Sequence, residues 1–538
     1  MGGICGKASA KSSGDVSTPK NSNSHRRSSL QSMSAEEELR LQTKKDFQMQ
    51  FERSHEGEPI DVPAVWPIIQ VLGNQNIHKA YEFENLEIGS GHYGVVRRAK
   101  LRAVPTKTFA VKTIPKKKLK GDIALLRGEL DMLRCTDHPN IIQFYEIFQD
   151  EESFHFVMEY CDGGDITSMI EKNGPCSEER TREIIFETLL AISHLHSTGI
   201  IHRDIKPDNF LFKNKKPDSP VKLIDFGLSK RSPPTGKLRT VLGTPFYVAP
   251  EILERKGYDK KVDVWSAGVM MYLILGADFP FRGETQAITF EKIRKSSYNL
   301  KLTEQLRNLS EQGKQFLAKL LEKDPAKRPT ATEALRDPWF DDLNIEFNET
   351  GRTQITKTLL NKLRSFKSEN RFTKEVIRMM VMIHDEDPEV LRLKDAFFYI
   401  DALNSGILVD EEIKKVFREL GEEITDEEIE DITDSLELRV KNIITYTEFI
   451  TATIDEKFIR NEKNLVEMFN RFDINQDKFI TMDDMVNCFT RFGLEIPRAE
   501  VVKMISENDI NKDHKISFVE FKHALSKNLH EGSMSPHD

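Results

Sequence analysis

His202-Arg203-Asp204-Ile205-Lys206-Pro207-Asp208-Asn209 fits the spacing H-R-D-x-x-x-x-N, with an amide five residues after the acid. Working outward, Asp225-Phe226-Gly227 follows an apolar strand pattern at Val221 to Ile224, and Ala249-Pro250-Glu251 lies 24 residues after Asp225. Upstream, Gly89-Ser90-Gly91-His92-Tyr93-Gly94-Val95-Val96 fits G-x-G-x-x-G-x-V. A glycine triplet alone is weak, because dinucleotide sites and ordinary turns share it. The flanks decide: Tyr81 to Ile88 and Val95 to Leu101 both alternate like strands, which predicts a Gly-rich hairpin. Such a hairpin lets backbone N–H groups lie close over triphosphate oxygens. Lys112 follows Gly94 by 18 residues and closes the apolar run Phe109-Ala110-Val111. A buried lysine needs partners. The expected ones are the α/β-phosphates and Glu129, nine residues before His138; an ordinary surface Lys–Glu pair is the alternative.

With these motifs in this order, residues 81–340 resemble the protein kinase family. The resemblance implies a two-lobed α+β fold with ATP and Mg²⁺ as cofactors. Asp204 would accept or orient the substrate hydroxyl proton, and Lys206 would offset charge on the transferred phosphoryl group. Asn209 and Asp225 would hold Mg²⁺. The ATP-binding positions implied are Ile88, Gly89, Gly91, Gly94, Val96, Ala110, Lys112, Glu129, Met158, Glu159, Cys161 and Asp165. Among them, Phe154 to Cys161 resembles the hinge that holds adenine through its backbone, with Met158 as gatekeeper. Lys206 and Gly243-Thr244-Pro245-Phe246-Tyr247 resemble serine/threonine kinases. Asp165 and Asp208 resemble positions that recognise Arg upstream of the acceptor; solvated acids are the alternative. Arg203 would pair with a phosphate on Thr240. Glu251, Arg328 and the Asp263-Val264-Trp265 helix are assigned to the fold.

The chain has 538 residues, 38% apolar and 31% charged, and a net charge of −9. That length suggests about three or four domains. No apolar stretch approaches the ~20 residues of a membrane span. Five scattered cysteines make neither a disulfide framework nor a zinc knuckle, so a reduced, cytoplasmic protein is expected. The charge is uneven. From Asp401 onward there are 31 acidic and 17 basic residues, a net −14, so the first 400 residues carry +5.

The acidic end holds an internal repeat. Leu408, Ile444, Ile480 and Ile516 recur every 36 residues, followed in each copy by Glu412, Glu448, Asp484 and Glu520. The repeat frames four 12-residue loops beginning at 401, 437, 473 and 509, and here the chain resembles the calmodulin-like EF-hand family. The copies are unequal. The first keeps Asp401, Ser405 and Glu412 but has Leu403 at position 3, so weak Ca²⁺ binding is expected. The second puts Arg439 and Lys441 at ligand positions and is expected to bind none. The third offers Asp473, Asn475, Asp477, the Phe479 carbonyl and Asp484. The fourth offers Asp509, Asn511, Asp513, the Lys515 carbonyl and Glu520. Lys478 and His514 replace the usual Gly at position 6 and must take φ > 0, and Asp484 is one methylene shorter than Glu. About two good sites are expected.

Between the halves, residues 351–384 are basic, with apolar residues at helical spacing: Leu359, Leu360, Leu363 and Phe366, then Phe372, Val376, Met379, Met380 and Ile383. The domain plan is therefore a disordered arm (1–70), a kinase domain (81–340), a junction (351–384) and EF-hand pairs at 390–455 and 460–528. A two-lobed kinase followed by an all-α calmodulin-like domain of two lobes resembles the calcium-dependent protein kinases of plants and alveolate protists. The resemblance implies a junction that holds the kinase inactive at low calcium and is withdrawn by the EF-hands. Expected partners are proteins with basic residues before Ser or Thr, the chain's own junction helix and a membrane surface; nucleic acid is not expected. The membrane expectation rests on Gly2 (myristoylation) and Cys5 (palmitoylation) ahead of a basic arm, in which Ser29 is a candidate phosphorylation site. A pseudokinase scaffold and a calcium-independent kinase braced by its EF-hands are the rival readings.

Overall fold

The computed structural model describes residues 76–90, 94–102, 105, 107–119, 132–133, 136–226, 229–231, 244–255, 257–366, 370–435, 443–494 and 496–527. The smaller lobe is an antiparallel sheet of β1 (Tyr81–Ser90), β2 (Val95–Leu101), β3 (Thr108–Pro115), β4 (Phe144–Gln149) and β5 (Ser153–Glu159), in the order β1-β2-β3-β5-β4. The two strands predicted on either side of the Gly-rich turn pair as a hairpin, Ser90 opposite Val95. Gly94 is required there: a Cβ would meet the Thr113 carbonyl oxygen at 2.4 Å. β5 is buried at every residue, as expected of a strand covered on both faces. Lys112 does not end its strand; β3 runs on to Pro115.

The larger lobe is built around α1 (Ile166–Asn173), α2 (Glu178–Ser197) and α3 (Lys261–Gly276). α1 begins at Asp165, whose carboxylate accepts the Ser168 N–H at 2.7 Å, and α2 begins at Ser177, which caps the Arg180 N–H. α3 is apolar on nearly every side and almost wholly buried, so Asp263, Trp265 and Ser266 lie inside the lobe. Two short strands, β6 (Phe210–Phe212) and β7 (Val221–Leu223), pair beside the catalytic loop. The predicted Glu251–Arg328 pair is present and bidentate, at 2.7 and 3.1 Å, in the interior.

After α4 (Asp341–Gln354) the junction forms two helices, α5 (Lys357–Ser365) and α6 (Arg371–Ile383). Thr356 and Asn370 cap their first turns. Their apolar faces are those the spacing predicted. Leu359, Leu360, Leu363, Phe372, Val376, Met379, Met380 and Ile383 are all buried. They pack within the hands that follow: α7 (Pro388–Ile400), α8 (Asp410–Glu419), α9 (Asp426–Ser435), α10 (Tyr446–Thr453), α11 (Glu462–Phe472), α12 (Met482–Arg491), α13 (Arg498–Asn508) and α14 (Phe518–Lys527). Phe372 meets Phe472 and Phe521 with ring centroids 6.3 and 5.9 Å apart. On the polar side Lys357 pairs with Glu422 at 2.6 Å, and Arg364 with Glu422 and Glu428. The acidic surplus outside the loops thus faces the basic junction.

The loops pair through two miniature sheets. β8 (Ile407–Val409) and β9 (Ile443–Thr445) place Leu408 opposite Ile444; β10 (Phe479–Ile480) and β11 (Ile516–Ser517) place Ile480 opposite Ile516. The repeat positions read from the sequence are therefore the pairing positions.

The hands lie against the kinase lobes. Glu146 on β4, only 2% exposed, receives Arg471 of α11 at 2.5 Å and Arg491 of α12 at 3.1 Å, and also the Tyr81 hydroxyl at 2.6 Å. Arg471 stacks over Phe109 at 5.1 Å and Arg491 over Phe148 at 5.4 Å. Thr447, at the start of α10, donates its N–H and hydroxyl to Asp137 at 2.8 and 2.6 Å. The first calcium loop rests on α2: the Ser197 hydroxyl donates to the Ser405 carbonyl at 2.9 Å, and a Cβ at Gly406 would meet His194 Nδ1 at 2.5 Å. Among the described residues no helix is long and apolar enough to cross a membrane.

Candidate functional site: a catalytic loop and calcium loops

Asp204 sits at the centre of a converging set of donors. Its carboxylate accepts from Lys206 Nζ at 2.7 Å, Asn209 Nδ2 at 3.1 Å and the Thr244 hydroxyl at 3.1 Å. Lys206 also reaches the Thr244 hydroxyl at 3.3 Å. The three residues predicted to work together are thus within one hydrogen-bonded group, and Thr244 joins them. Asn209 is turned so that its nitrogen donates to the Asp204 carbonyl at 2.7 Å and to the Asp204 carboxylate. Its amide oxygen is the atom left to offer a cation. Asp225 lies beside the same loop: the His202 Nδ1 accepts the Asp204 N–H, so its Nε2–H donates to the Asp225 carbonyl at 2.5 Å. One hard oxygen from Asn209 and a carboxylate from Asp225 fit Mg²⁺, which takes few protein ligands plus phosphate. When bound, Mg²⁺ neutralises charge on the phosphate oxygens during transfer.

Asp263, which the sequence assigned to the fold, holds this loop in shape. Its oxygens accept the N–H of His202 at 2.9 Å and of Arg203 at 2.8 Å, and His196 Nε2 at 2.9 Å. Burial alone would raise the Asp263 carboxyl, but these hydrogen bonds and the neighbouring His196 and His202 outweigh it and hold it below the usual carboxylate range. Arg203 has φ 67° in the left-handed region, an uncommon place for a side chain this large. The cost, of order 1–3 kcal/mol, is offset by the Asp263 hydrogen bond to its own N–H. A carboxylate inside an otherwise apolar helix was the available sign, because a buried charge must have partners.

Other predicted positions are distributed around the cleft. Lys112 is half-buried on β3, opposite Val96 on one side and Phe156 on the other. Ala110 stands opposite Met158, and both are buried. Val96 is half-buried, Ile88 and Gly89 exposed. Glu159 offers the cleft only its backbone, because its carboxylate is turned onto Lys213 and onto Lys222, the latter at 2.9 Å. Cys161 is a free thiol, pushed above the usual range by burial and then by Glu159. Asp165 is occupied in capping α1, whereas Asp208 is exposed. Gly91, Glu129, Thr240, Gly2, Cys5 and Ser29 lie outside the described residues.

The calcium loops have the backbone their chemistry needs. Lys478 and His514 take φ 70° and 62°, as predicted for position 6. Position 4 does the same at Asn404, Gln476 and Lys512, which the sequence reading missed. In the third loop Asp473 accepts the N–H groups of Asp477 and Lys478, and Asp477 accepts that of Phe479. In the fourth, Asp509 accepts from Asp513 and His514, and Asp513 from Lys515. Asn475 and Asn511 each donate to the Asp two residues on, at 3.1 Å. Position 12 separates the two loops. Glu520 spans its loop, with one oxygen on the Ile510 and Asn511 N–H groups and the other on Ser517. Asp484 reaches only Thr481 at its own helix start. In the first loop Asp401 accepts from Ser405 and Gly406, and Glu412 from Leu403 and Val409. Both carboxylates are buried beneath the contact with α2, and Leu403 with them. Residues 437–442 of the second loop lie outside the described residues. Among the described residues no three Asp, Glu, His or Cys side chains are gathered at one metal position; the loop oxygens rest on loop N–H groups. Those oxygens are the hard donors Ca²⁺ requires.

A glycine-rich hairpin in the smaller lobe and a catalytic Asp–Lys–Asn group in the larger, followed by paired helix-loop-helix hands, define a protein kinase carrying an EF-hand module. Residues 82–340 match the protein kinase domain family, and residues 462–526 match the EF-hand domain pair. Calcium-dependent protein kinase 29 of Arabidopsis thaliana is 33% identical over 464 residues, 86% of this chain and 84% of its own. Calcium-dependent protein kinase 17 of Arabidopsis thaliana is 32% identical, covering 88% and 89%, and calcium-dependent protein kinase SK5 of Glycine max is 33% identical, covering 87% and 90%. The chain belongs to the calcium-dependent protein kinase family. It is a serine/threonine protein kinase whose cofactors are ATP and Mg²⁺, with Ca²⁺ as the ligand of its EF-hands.

Proposed function

We propose that this kinase is restrained by its own junction at low calcium, and that the arrangement described here is the released one. The supporting observation is the position of α6. Its apolar face lies among α10 and α11 of the EF-hand module, with Phe372 against both Phe472 and Phe521. A helix so held is withdrawn from substrate and ATP alike. At low calcium the loops relax, the grip on α5 and α6 weakens, and the basic amphipathic segment returns to restrain the kinase. The exposed Asp208, near the catalytic loop, suits substrates with a basic residue before the acceptor Ser or Thr. The location proposed is the cytoplasm, with an acylated basic arm giving reversible attachment to anionic membrane. Mass spectrometry of the N-terminal peptide tests that arm.

The test of restraint is phosphorylation of a basic Ser-containing peptide by the full chain, in calcium and in chelator, and then by Glu520→Gln. Activity should be high only for the parent in calcium, with the variant responding at higher calcium. Equal activity in all conditions would leave the hands as a brace and overturn the proposal.

A further inference from the structure

The two lobes of the kinase meet at the segment following Glu159, and behind it lies a buried cluster of charge. Glu159 on β5 is only 2% exposed and pairs with Lys213 and Lys222, both from the larger lobe. One carboxylate cannot neutralise two lysines. The second comes from outside the kinase domain. Asp385, in the turn just after α6, places one oxygen 2.5 Å from Lys213 and the other 3.2 Å from Lys107 of the smaller lobe. Lys107 also donates to the Ile383 carbonyl, the last residue of α6. These lysines hold the Asp385 carboxyl well below its usual range against the opposing effect of burial. The next acid, Glu386, is exposed and stands 3.8 Å from Lys213 alone.

The two lysines are well placed to act on the reaction. Lys107 immediately precedes β3, which carries Lys112 five residues later. Lys213 immediately follows β6, which begins next to Asn209. A strand is stiff along its length, so what fixes Lys107 and Lys213 fixes the phosphate-binding lysine relative to the metal-binding amide.

We propose that Asp385 is a positioning residue: one carboxylate, in the turn directly after the junction, clasps a lysine from each lobe and sets the interlobe angle at which ATP is held for transfer. This rests on the calcium reading above and extends it, because docking of the junction then assembles the ATP cleft as well as freeing the substrate site. The clasp forms when α6 is seated in the EF-hand module and parts when α6 leaves it.

The experiment uses the full chain, with kcat and the KM values for ATP and peptide measured in saturating calcium and in chelator. Asp385→Asn is expected to lower kcat/KM for ATP roughly tenfold in calcium, the scale of a typical coupling between sites. The peptide KM and the activity in chelator should stay at parental values, Asp385→Glu should recover most of the loss, and Glu386→Gln should match the parent. Lys107→Met should cause a similar loss, and the double variant should be no worse than either single one. An unchanged KM and kcat for ATP in Asp385→Asn would overturn the clasp, as would equal losses with and without calcium, or losses from Asp385 and Lys107 that multiply. The parent's own response to calcium decides the earlier proposal independently, so failure of one is not mistaken for failure of the other.

Discussion

Replacing Glu146 by Gln removes a single charge and keeps the shape. Glu146 is the common anion for Arg471 and Arg491, both buried, and it also accepts the Tyr81 hydroxyl. After the change Arg471 still has Glu467 at 3.1 Å, and Arg491 still donates to the Arg471 carbonyl at 2.6 Å. Both buried guanidinium groups then lose the charge of their shared carboxylate. Breaking a buried pair by removing one partner costs about 3–5 kcal/mol; the surviving Glu467 contact places this case near 3. Local opening of the interface between the sheet and the C-terminal hands should therefore become roughly 150-fold more frequent. Hydrogen exchange of the full chain, followed at the N–H groups of β4 and α12, reads this directly. Replacing the whole cluster together, Tyr81→Phe, Glu146→Leu, Glu467→Leu, Arg471→Met and Arg491→Met, should recover most of the protection, since apolar replacement of a whole buried cluster is often neutral or better. If exchange in Glu146→Gln rises by less than about fivefold, the pair contributes no more than an exposed salt bridge and the interface reasoned from burial is wrong.

Asp204→Asn should lower phosphotransfer by about two to four orders of magnitude while leaving ATP binding intact, measured by turnover and by nucleotide titration. Asp484→Glu should tighten the third calcium site, because the added methylene supplies the reach that Glu520 already has; calorimetric titration of the chain against the variant checks it. His194 is held down to about 4 by burial, beside Asp137 and under the first calcium loop. Its ring stays neutral when folded but titrates near 6.5 when unfolded, so its contribution is complete above pH ~6.5 and falls as pH drops towards about 4, by about 3 kcal/mol in all. The parent's urea midpoint should therefore fall more steeply from pH 6.5 to 4.5 than that of His194→Gln, and parallel curves would contradict this.

The reaction centre was legible because each motif is short and chemically specific. Asp204, Lys206 and Asn209 are separated by a few residues and come together by local geometry. The 36-residue repeat was equally readable, and its recurring apolar positions are those that pair, Leu408 with Ile444 and Ile480 with Ile516. Contacts between distant parts of the chain were not. Arg471, Arg491, Asp385 and His194 look like ordinary solvated residues in one dimension, and only docking buries them. A faint sign existed: Arg471 and Arg491 are each followed by Phe, at the end of an amphipathic helix, which is unusual for a cation meant for water. Asp165 has a further task that its position near a cleft did not suggest: its carboxylate satisfies the backbone at a helix start, the commonest task for Asp in that position. The first calcium loop is a similar case: its residues were read against an ion, whereas the structure also uses its outer surface as a foot on the kinase.

Glu146 and Arg471 are 325 residues apart in the chain. At a synthesis rate of 5–20 residues per second, roughly 15–65 s pass between the emergence of one and of the other. Through nearly all of that interval the smaller lobe is complete in sequence but carries a naked carboxylate and the Phe109 and Phe148 rings on a surface meant to be covered. The nascent kinase is thus an unfinished object until its final helices arrive. In this window, on the ribosome, the uncovered surface is of the kind that favours aggregation.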